Sequence, residues 1–548
     1  MASHPLASRS QLLERRRAIL DQQDQLRQEQ TRLDCALKDV DYLLNATQPI
    51  NRLPNEILTD IFDRFLSGAE HLEQFSSSIR KIKIRPRGAT ARTAIIPSVC
   101  RHWRTVACGT PRLWQTIHIR ASSNPDWLAL CLARCAQVPA HVTLECSVDK
   151  SIVSILSSSR SIIRYLSIPR EEVYPTRIRN LLAEGEGWPR LETLHFELRG
   201  FTNNTNIQLH AARFPKLHTL TLDGISLPVN RDTSTYPNNL RNLTLRTRAW
   251  RISVDQILTI VGSMSHLENL VMHVAKSAPQ GGPPPRDKIV LPVLRTLVLS
   301  INSHQVAKQV LAVLQFPAAT SVSIKVYVTL QDTHTILSIL PPDPVSVFPS
   351  LTTMDTVDLS ISSEQACYQI RARGARGGKI SFTLTSREDL DWDPGFPHYL
   401  EDLGHLFSAA PLATLNICTD SFGDDNMTAP VPTWSGVLAR LPALESCTLS
   451  GSEYPHEFWE ALQAADDIIP CPRLKVVKML GWWTIECQDP RFLAMPNALR
   501  HRAALGHRLE YLDVISLDVA NLAPDEEYVQ QLEQVVGELM WERREGRS

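Results

Sequence analysis

A short leucine-rich motif returns along most of the chain and constrains its fold more than any other feature. The segment WPRLETLHFEL (188–198) recurs as FPKLHTLTLDG (214–224), PNNLRNLTLRT (237–247), MSHLENLVMHV (264–274) and LPVLRTLVLSI (291–301). The first leucines of these copies are separated by 26, 23, 27 and 27 residues. A period of this size is typical of repeat proteins, in which each unit buries its apolar face against its neighbours.

Each of these five copies, the strong copies, reads L-x-x-L-x-L or nearly so. Its last two apolar residues alternate with polar ones, as in a strand that buries one face. Helical patterns lie between the copies, namely VDQILTIVG (254–262), HQVAKQVLAVL (304–314) and HYLEDLGHLFSAA (398–410). A strand followed by a helix in each repeat predicts an α/β solenoid with parallel strands and outer helices.

Weaker copies continue the series towards the C-terminus. They are FPAATSVSIKV (316–326), FPSLTTMDTVDL (348–359), APLATLNICTD (410–420), LPALESCTLSG (441–451), CPRLKVVKMLG (471–481) and HRLEYLDVISL (507–517). The spacing widens to 61 residues between Leu351 and Leu412, so either a copy is hidden near GGKISFTLTS (377–386) or the array carries an insertion. We assign 120–548 to one solenoid, with degenerate first repeats in 120–187 and a capping helix in 525–547.

Residues 1–48 are predicted to form a separate N-terminal segment, mostly one long helix. A heptad series runs through it: Leu12, Ile19, Leu26, Leu33 and Val40. A seven-residue period keeps one face aimed at a partner helix. A coiled coil needs a second apolar series alongside the first, but the residues four positions after Leu12, Ile19 and Leu26 are polar: Arg16, Gln23 and Gln30. Two alternatives therefore stay open: a coiled coil with a partner, or a helix docked along the next domain of its own chain.

Residues 49–119 have the pattern of a small all-α module. One helical face in 52–66 carries five apolar residues: Ile57, Leu58, Ile61, Phe62 and Phe65. A second helical piece, 95–114, places Val99, Trp103 and Val106 on a shared face and ends at Thr110-Pro111. Residues 68–93 between the two pieces are predicted to be an inserted, solvated loop, although a nuclear-import or phosphate-binding patch is an alternative.

Composition excludes several classes of function. The 548 residues contain 57 Lys+Arg and 58 Asp+Glu, a net charge of −1, which argues against a general nucleic-acid-binding face. No apolar stretch reaches the ~20 residues of a membrane span, and the N-terminus lacks the apolar core of a signal peptide. The 11 cysteines lie mostly within apolar runs, as reduced thiols do. We expect an intracellular protein, cytoplasmic or nuclear, without a membrane or nucleic-acid partner.

Motifs for catalysis, cofactors or metals are weak. RARGARGGK (371–379) is not a phosphate-binding loop, because Lys379 is followed by Ile380 instead of Ser or Thr. His398 and His405 are two helical turns apart, ~10 Å, too far to share one ion. Cys131 and Cys135 lack the second ligand pair of a zinc site. We therefore expect no enzyme activity, no cofactor and no metal site.

Two segments of the helical region resemble the F-box motif: LPNEILTDIF (53–62) and VCRHWRTVACGTPRLW (99–114). The family pattern is L-P-x-E-I-L-x-x-I-F, then V-C-R-x-W-R-x-x-A, then P-x-L-W. Matching residues are Leu53, Pro54, Glu56, Ile57, Leu58, Ile61, Phe62, Val99, Cys100, Arg101, Trp103, Arg104, Ala107, Pro111, Leu113 and Trp114. The inserted loop 68–93 departs from the compact spacing of the family.

The resemblance implies a non-enzymatic substrate receptor of a cullin–RING ubiquitin ligase. In F-box proteins the helical module binds a Skp-type adaptor, and through it the cullin, while a C-terminal domain, often of leucine-rich repeats, holds a protein substrate. The implied adaptor-binding residues are Leu53, Pro54, Glu56, Ile57, Leu58, Ile61, Phe62, Val99, Cys100, Trp103, Leu113 and Trp114. The alternative is a scaffold or signalling protein whose F-box-like module does not engage the ligase.

The solenoid pattern also predicts where a substrate would bind. The motif leucines face the core, so the alternating residues face the concave side. In the strong repeats the candidate contacts are His195, Glu197, Thr221, Asp223, Thr244, Arg246, Val271 and His273. We expect the charged members of this row to be exposed. The competing site is the loop edge, especially 275–290 and 420–433.

Overall fold

The chain forms two compact units, Met1–Ser167 and Ile168–Ser548. Its computed structural model describes residues 8–543, except 77–88, 121–123, 147, 172–174, 184, 199–208, 225–235, 238, 253, 278–287, 329–334, 363–365, 376, 387–394, 420–428, 452–453, 464–468, 482–489 and 517–525. The predicted boundaries after residues 48 and 119 both fall inside the first unit.

The first unit begins with four helices. They are α1 (Arg9–Thr47), α2 (Asn55–Ser76), α3 (Ala89–Val99) and α4 (Arg101–Cys108), with short 3-10 turns at Pro49–Arg52 and Pro111–Trp114. The predicted loop 68–93 is wrong at both ends, because α2 continues to Ser76 and α3 begins at Ala89; residues 77–88 lie outside the described part. The second helical piece is broken at Cys100, whose extended backbone separates α3 from α4.

Strands and helices alternate in the rest of the first unit. The elements are β1 (Thr116–Arg120), α5 (Pro125–Cys135), β2 (Ala140–Glu145), α6 (Lys150–Ser158) and β3 (Ile163–Glu171), which runs into the second unit. β1 pairs with β2 and β2 with β3, both in parallel. The segment 120–187, assigned above to degenerate first repeats, contains α5, β2, α6 and β3.

The second unit continues the alternation. Its first half contains α7 (Pro175–Ala183), β4 (Thr193–Leu198), β5 (Thr219–Asp223), β6 (Asn242–Ile252), α8 (Val254–Gly262), β7 (Asn269–Ser277), β8 (Ile289–Val290), β9 (Thr296–Ile301), α9 (His304–Val313), β10 (Leu314–Gln315) and β11 (Ser321–Val328). β4, β5, β6, β7, β9 and β11 lie side by side in that order, and all are parallel.

The second half of this unit has more helices. Its elements are α10 (Ile336–Ile339), α11 (Pro344–Val347), β12 (Thr356–Ser362), β13 (Cys367–Arg373), β14 (Lys379–Ser386), α12 (Phe396–Leu406), β15 (Thr414–Thr419), α13 (Val431–Ala439), β16 (Ser446–Gly451), α14 (His456–Ala461), β17 (Val476–Gly481), α15 (Pro490–Ala504), β18 (Leu509–Ser516), α16 (Glu526–Val535) and β19 (Val536–Arg543). β15 to β19 are parallel neighbours in chain order.

The wide gap in the repeat series contains an insertion. β14 pairs in parallel with β11, and β12 pairs in parallel with β15, so these strands continue the sheet in reversed chain order. β13 lies between them and is antiparallel to both. The Gly-rich segment 371–379 therefore joins the two strands of a hairpin, β13 and β14, and Gly374, Gly377 and Gly378 lie between them. A Cβ at Gly374 would lie 2.7 Å from the Thr353 carbonyl oxygen, so this close approach requires glycine.

Repeated leucines explain why a large, mostly parallel sheet forms. Each of the eleven copies of the motif contains a strand, as predicted. The motif leucines of the strong copies are buried; Leu191, Leu194, Leu217 and Leu220 are each exposed by at most 1%. Helices α12 to α16 contact one another in succession. The chain is thus a mixed α/β protein with a long N-terminal helix and a large, mostly parallel sheet.

One predicted element at the C-terminus is wrong. The sequence pattern predicts a capping helix over 525–547, but α16 ends at Val535 and residues Val536–Arg543 form β19. Val536 is buried, and β19 pairs in parallel with β18 along its length. The free edge of β18 offers backbone hydrogen bonds that a continued helix would leave unused, so pairing overrides the helical pattern.

Candidate functional site

The helices of the first unit pack around the predicted F-box-like residues. Leu58 is 0% exposed and Phe62 is 2% exposed. The ring centroids of Phe62 and Trp103 lie 4.8 Å apart. The indole Nε1 of Trp103 donates a hydrogen bond to Asn51 Oδ1 at 2.6 Å, which ties α4 to the turn before α2. Leu58 and Phe62 therefore form the interior of the module, and the half-buried Trp103 packs against it.

Trp114 closes the other end of the module. Its side chain is 1% exposed, and its Nε1 donates to the Ala107 carbonyl oxygen at 2.7 Å. The Arg134 guanidinium lies 4.3 Å from the ring centroid, a cation–π distance. The Cys135 thiol donates to the Trp114 carbonyl oxygen at 2.9 Å. Leu113 is buried beside it, so Leu113 and Trp114 are structural residues of this unit.

A row of apolar side chains on α2 stays exposed. Ile57, Ile61 and Phe65 follow one another at four-residue spacing and are 47%, 38% and 44% exposed. Because residues four apart lie on one helical face, the three form a stripe beside the buried Leu58 and Phe62. On α3, Ile95 and Val99 show the same spacing and are 38% and 49% exposed. Such exposed apolar stripes are typical of interaction surfaces.

The remaining predicted contacts lie at the starts of helices. Leu53 is half-buried, whereas Pro54 and Glu56 are exposed. The Pro54 carbonyl accepts the Leu58 amide at 3.1 Å, so Pro54 immediately precedes α2 instead of lying within it. Cys100 caps α4, where its sulfur accepts the Trp103 amide at 3.4 Å. The twelve predicted residues thus divide into three groups by exposure. Four are buried (Leu58, Phe62, Leu113 and Trp114), three are half-buried (Leu53, Cys100 and Trp103), and five are exposed (Pro54, Glu56, Ile57, Ile61 and Val99).

The predicted strand-face residues of the second unit come together in two lateral rows. Parallel register places His195 beside Thr221, Thr221 beside Thr244, and Thr244 beside Val271. The second row consists of Glu197, Asp223, Arg246 and His273. Residues of both rows alternate along each strand with buried leucine, phenylalanine or methionine. The strands therefore bring these eight residues onto one face.

The expectation that all charged members are exposed is wrong for Asp223. Its side chain is 9% exposed, whereas Arg246 on the next strand is exposed. Burial lowers the pKa of His195, although Glu197 and Asp223 raise it and Arg246 lowers it. Burial and the Arg246 charge together lower the pKa of His273. Both imidazoles therefore favour their neutral form, which can donate one hydrogen bond and accept another.

Two further ladders cross the same strands near their starts. The Asn269 amide donates to Asn242 Oδ1 at 2.6 Å, and the Asn242 amide donates to Thr219 Oγ1 at 2.9 Å. One residue earlier, Arg241 and Arg295 both pair with Glu268, at 3.4 and 3.8 Å. Sequence reasoning missed these contacts. The signal that would reveal them is the recurrence of Thr or Asn, and of alternating charge, at the same position in successive copies.

Asp402, between the two histidines on α12, has a structural environment. His398 and His405 are exposed, whereas Asp402 is 2% exposed. Its carboxylate accepts the backbone amides of Ile336 and Leu337 at the start of α10. Burial raises its pKa to about 7, although these hydrogen bonds and one from Thr335 oppose the rise. Within the described ranges, no group of three His, Cys, Asp or Glu side chains could hold a metal ion.

The competing loop-edge site falls largely outside the described residues. Residues 278–287 of the predicted loop 275–290 are not described, and neither are residues 420–428 of the loop 420–433.

Across the helices that are described, none is long and apolar enough to cross a membrane. No protein-family model matches the chain, and no curated protein matches it significantly.

Proposed function

We propose that the chain is a non-enzymatic substrate receptor of a cullin–RING ubiquitin ligase, and that its F-box-like module binds a Skp-type adaptor. The observation that supports this most is the division of the motif on α2. Leu58 and Phe62 are buried and fix the helix, while Ile57 and Ile61 leave an apolar stripe uncovered. A partner that covers these side chains would gain ~25 cal/mol for each Å² of apolar surface removed from water.

The framework makes this surface rigid before binding. The Trp103 hydrogen bond, the Phe62–Trp103 ring contact and the buried Trp114 hold the helices in fixed positions. Little side-chain or loop ordering is then required when a partner docks, which favours affinity. Pro54 and Glu56 lie at the exposed start of α2, next to the stripe in sequence, and complete the proposed adaptor surface.

For the second unit we infer a leucine-rich-repeat solenoid whose strand face binds a protein substrate. Support comes from the strand in every copy, the parallel register and the two aligned rows. Around the buried Asp223, the row offers Glu197, Arg246 and His273, which combine both charges with a neutral imidazole. Such a surface suits a peptide or protein read by hydrogen bonds and charge pairs.

Direct binding to a purified Skp-type adaptor tests the proposal. In titration calorimetry with the full chain, the double change Ile57→Asp and Ile61→Asp should weaken adaptor binding at least tenfold, because two charges would be buried in an apolar contact. The matched control is Asp63→Arg, which also changes the charge of α2 by two units but lies on the opposite side of the helix from the stripe. It should bind as the wild type does. An unmodified chain that binds no adaptor would favour the scaffold alternative.

A further inference from the structure

The long helix α1 exposes its entire apolar stripe. Of its 39 residues none is buried. Its large apolar residues are 44–64% exposed: Leu12, Leu13, Ile19, Leu20, Leu26, Leu33, Leu37, Val40, Tyr42, Leu43 and Leu44. An isolated helix with such a stripe is stabilised in water mainly by packing against another surface.

The chain's own first unit contacts α1 from the opposite side. Arg101 of α4 pairs with Asp39 at 3.6 Å and lies 5.5 Å from the Tyr42 ring centroid. The Asn51 side chain donates to the Asn45 carbonyl oxygen at 2.6 Å. At 3.6 residues per turn, Asp39, Tyr42 and Asn45 lie more than 90° from the middle of the stripe formed by Leu37, Val40 and Leu44. These contacts therefore leave the stripe free for a second helix.

Charge along α1 is divided between its two halves. Residues 9–20 contain four arginines and one glutamate, a net charge of +3. Residues 21–47 contain six acidic and three basic residues, a net charge of −3. Two copies of such a helix attract each other when they are antiparallel, because each basic half then lies beside an acidic half. A parallel pair would place like halves together.

The polar series through Arg16 favours the same orientation. In an antiparallel pair that overlaps fully, with its centre at residue 28, Leu12 faces the partner's Leu44 and Ile19 faces the partner's Leu37. Arg16 faces the partner's Val40, which is followed in sequence by Asp41. A parallel pair would instead place Arg16 opposite the partner's Arg16 and bring Glu29 towards the partner's Asp34. The antiparallel arrangement therefore separates the two Arg16 side chains and brings each one near an acidic residue, Asp41.

From these observations we infer that α1 is a homodimerisation helix: it binds the α1 helix of a second copy as an antiparallel coiled coil. At 1.5 Å per residue the 39-residue helix is roughly 58 Å long. The two helical modules then lie at opposite ends of the paired helices, where they do not obstruct each other. This interaction does not depend on the proposed adaptor binding, which uses α2.

Light scattering of the full chain tests the dimer. The wild type should have a mass near 123 kDa, twice the chain mass of 61.6 kDa, at micromolar concentration. The double change Leu26→Glu and Leu33→Glu should give the 61.6 kDa monomer. Its control, Gln25→Glu with Gln28→Glu, adds the same charge off the stripe and should stay dimeric. Circular dichroism of all three proteins verifies that they are folded. A monomeric wild type, or a stripe variant that remains dimeric, would overturn the inference.

Disulfide cross-linking tests the orientation. In a chain with Cys35→Ser, the added pair Leu12→Cys and Leu44→Cys should give a covalent dimer on oxidation. Leu44→Cys alone should give no more covalent dimer than the Cys35→Ser chain does. A parallel coiled coil would link the single variant through residue 44, and that result would reject the antiparallel pairing. Adaptor binding should survive in every one of these variants.

Discussion

Adjacent residues on α2 occupy opposite environments. Leu58 is fully buried among the helices of its unit, whereas its neighbour Ile57 is 47% exposed. Both are large aliphatic residues within the same motif, and the sequence pattern places them on one helical face. Only the packed structure separates the residue that holds the module together from the residue that is available to a partner.

Alanine substitution should distinguish these two roles. Leu58→Ala is expected to lower the free energy of unfolding of its unit by about 2–5 kcal/mol, since it leaves a cavity in the core. Ile57→Ala should change it by about 0.5 kcal/mol or less, because the side chain makes few buried contacts. Urea denaturation monitored by tryptophan fluorescence measures both. Equal destabilisation by the two changes would contradict the assignment of Leu58 to the interior and Ile57 to the surface.

The buried Asp402 predicts a specific pH dependence. Its folded pKa of about 7 is raised above the ordinary value of 3.8, so its contribution favours folding most at pH below 3.8 and is lost as pH rises through 7. The variant Asp402→Asn does not titrate there. The free energy of unfolding of the wild type relative to this variant should fall between pH 4 and pH 8, by at most about 4 kcal/mol. A constant difference across that range would show that Asp402 stays ionised in the folded protein.

At the scale of elements, the repeated motif predicts the strands well and their arrangement less well. Every copy of L-x-x-L-x-L contains a strand, because alternating burial is a local property of the pattern. The sequence left open whether the gap before Leu412 hides a copy or an insertion. The structure has both in this gap: β14 (379–386) is a further parallel strand, and β13 is an inserted antiparallel strand. Reversed strand order depends on long-range pairing, which no local period reports.

Long-range contacts also determine which residues are exposed in the helical module and which element forms at the C-terminus. The sequence identifies the apolar face of α2 but cannot divide it, since the division depends on Trp103 and Trp114, which are distant in the chain. At 536–543 the apolar residues Val536 and Leu539 are three positions apart, so they share a helical face but lie on opposite faces of a strand, and the local pattern favours a helix. The neighbouring edge of β18 decides the outcome in favour of β19.

Strand β19 provides a prediction at this scale. A Cβ at Gly537 would lie 2.7 Å from the Glu510 carbonyl oxygen, so Gly537→Ala should displace β19 from β18 and destabilise the second unit by about 1–3 kcal/mol. A Cβ added at Gly436, on the exposed face of α13, would meet no atom of another element within 4 Å. Gly436→Ala should therefore be stabilising by up to about 1 kcal/mol. Thermal unfolding of both variants provides the comparison, and a harmless Gly537→Ala would contradict the observed pairing.

Three surfaces of the chain have three different proposed partners. The stripe on α2 is proposed to bind the adaptor, the stripe on α1 a second copy, and the strand face a protein substrate. Asp223 does not belong in a surface test, because it is buried. The triple change His195→Ala, Arg246→Ala and His273→Ala should cost little stability, since none of the three residues is buried. The triple variant should nevertheless fail to retain the substrate in the purified complex.

The proposed receptor function is tested most directly by quantitative co-purification from cells that express the tagged full chain in three forms. The wild type should retain the Skp-type adaptor, the cullin and a set of further proteins. Ile57→Asp with Ile61→Asp should lose adaptor and cullin while keeping the further proteins, and the strand-face triple variant should do the reverse. If adaptor and cullin are absent from the wild type, or persist unchanged with the α2 variant, the proposed receptor function is contradicted.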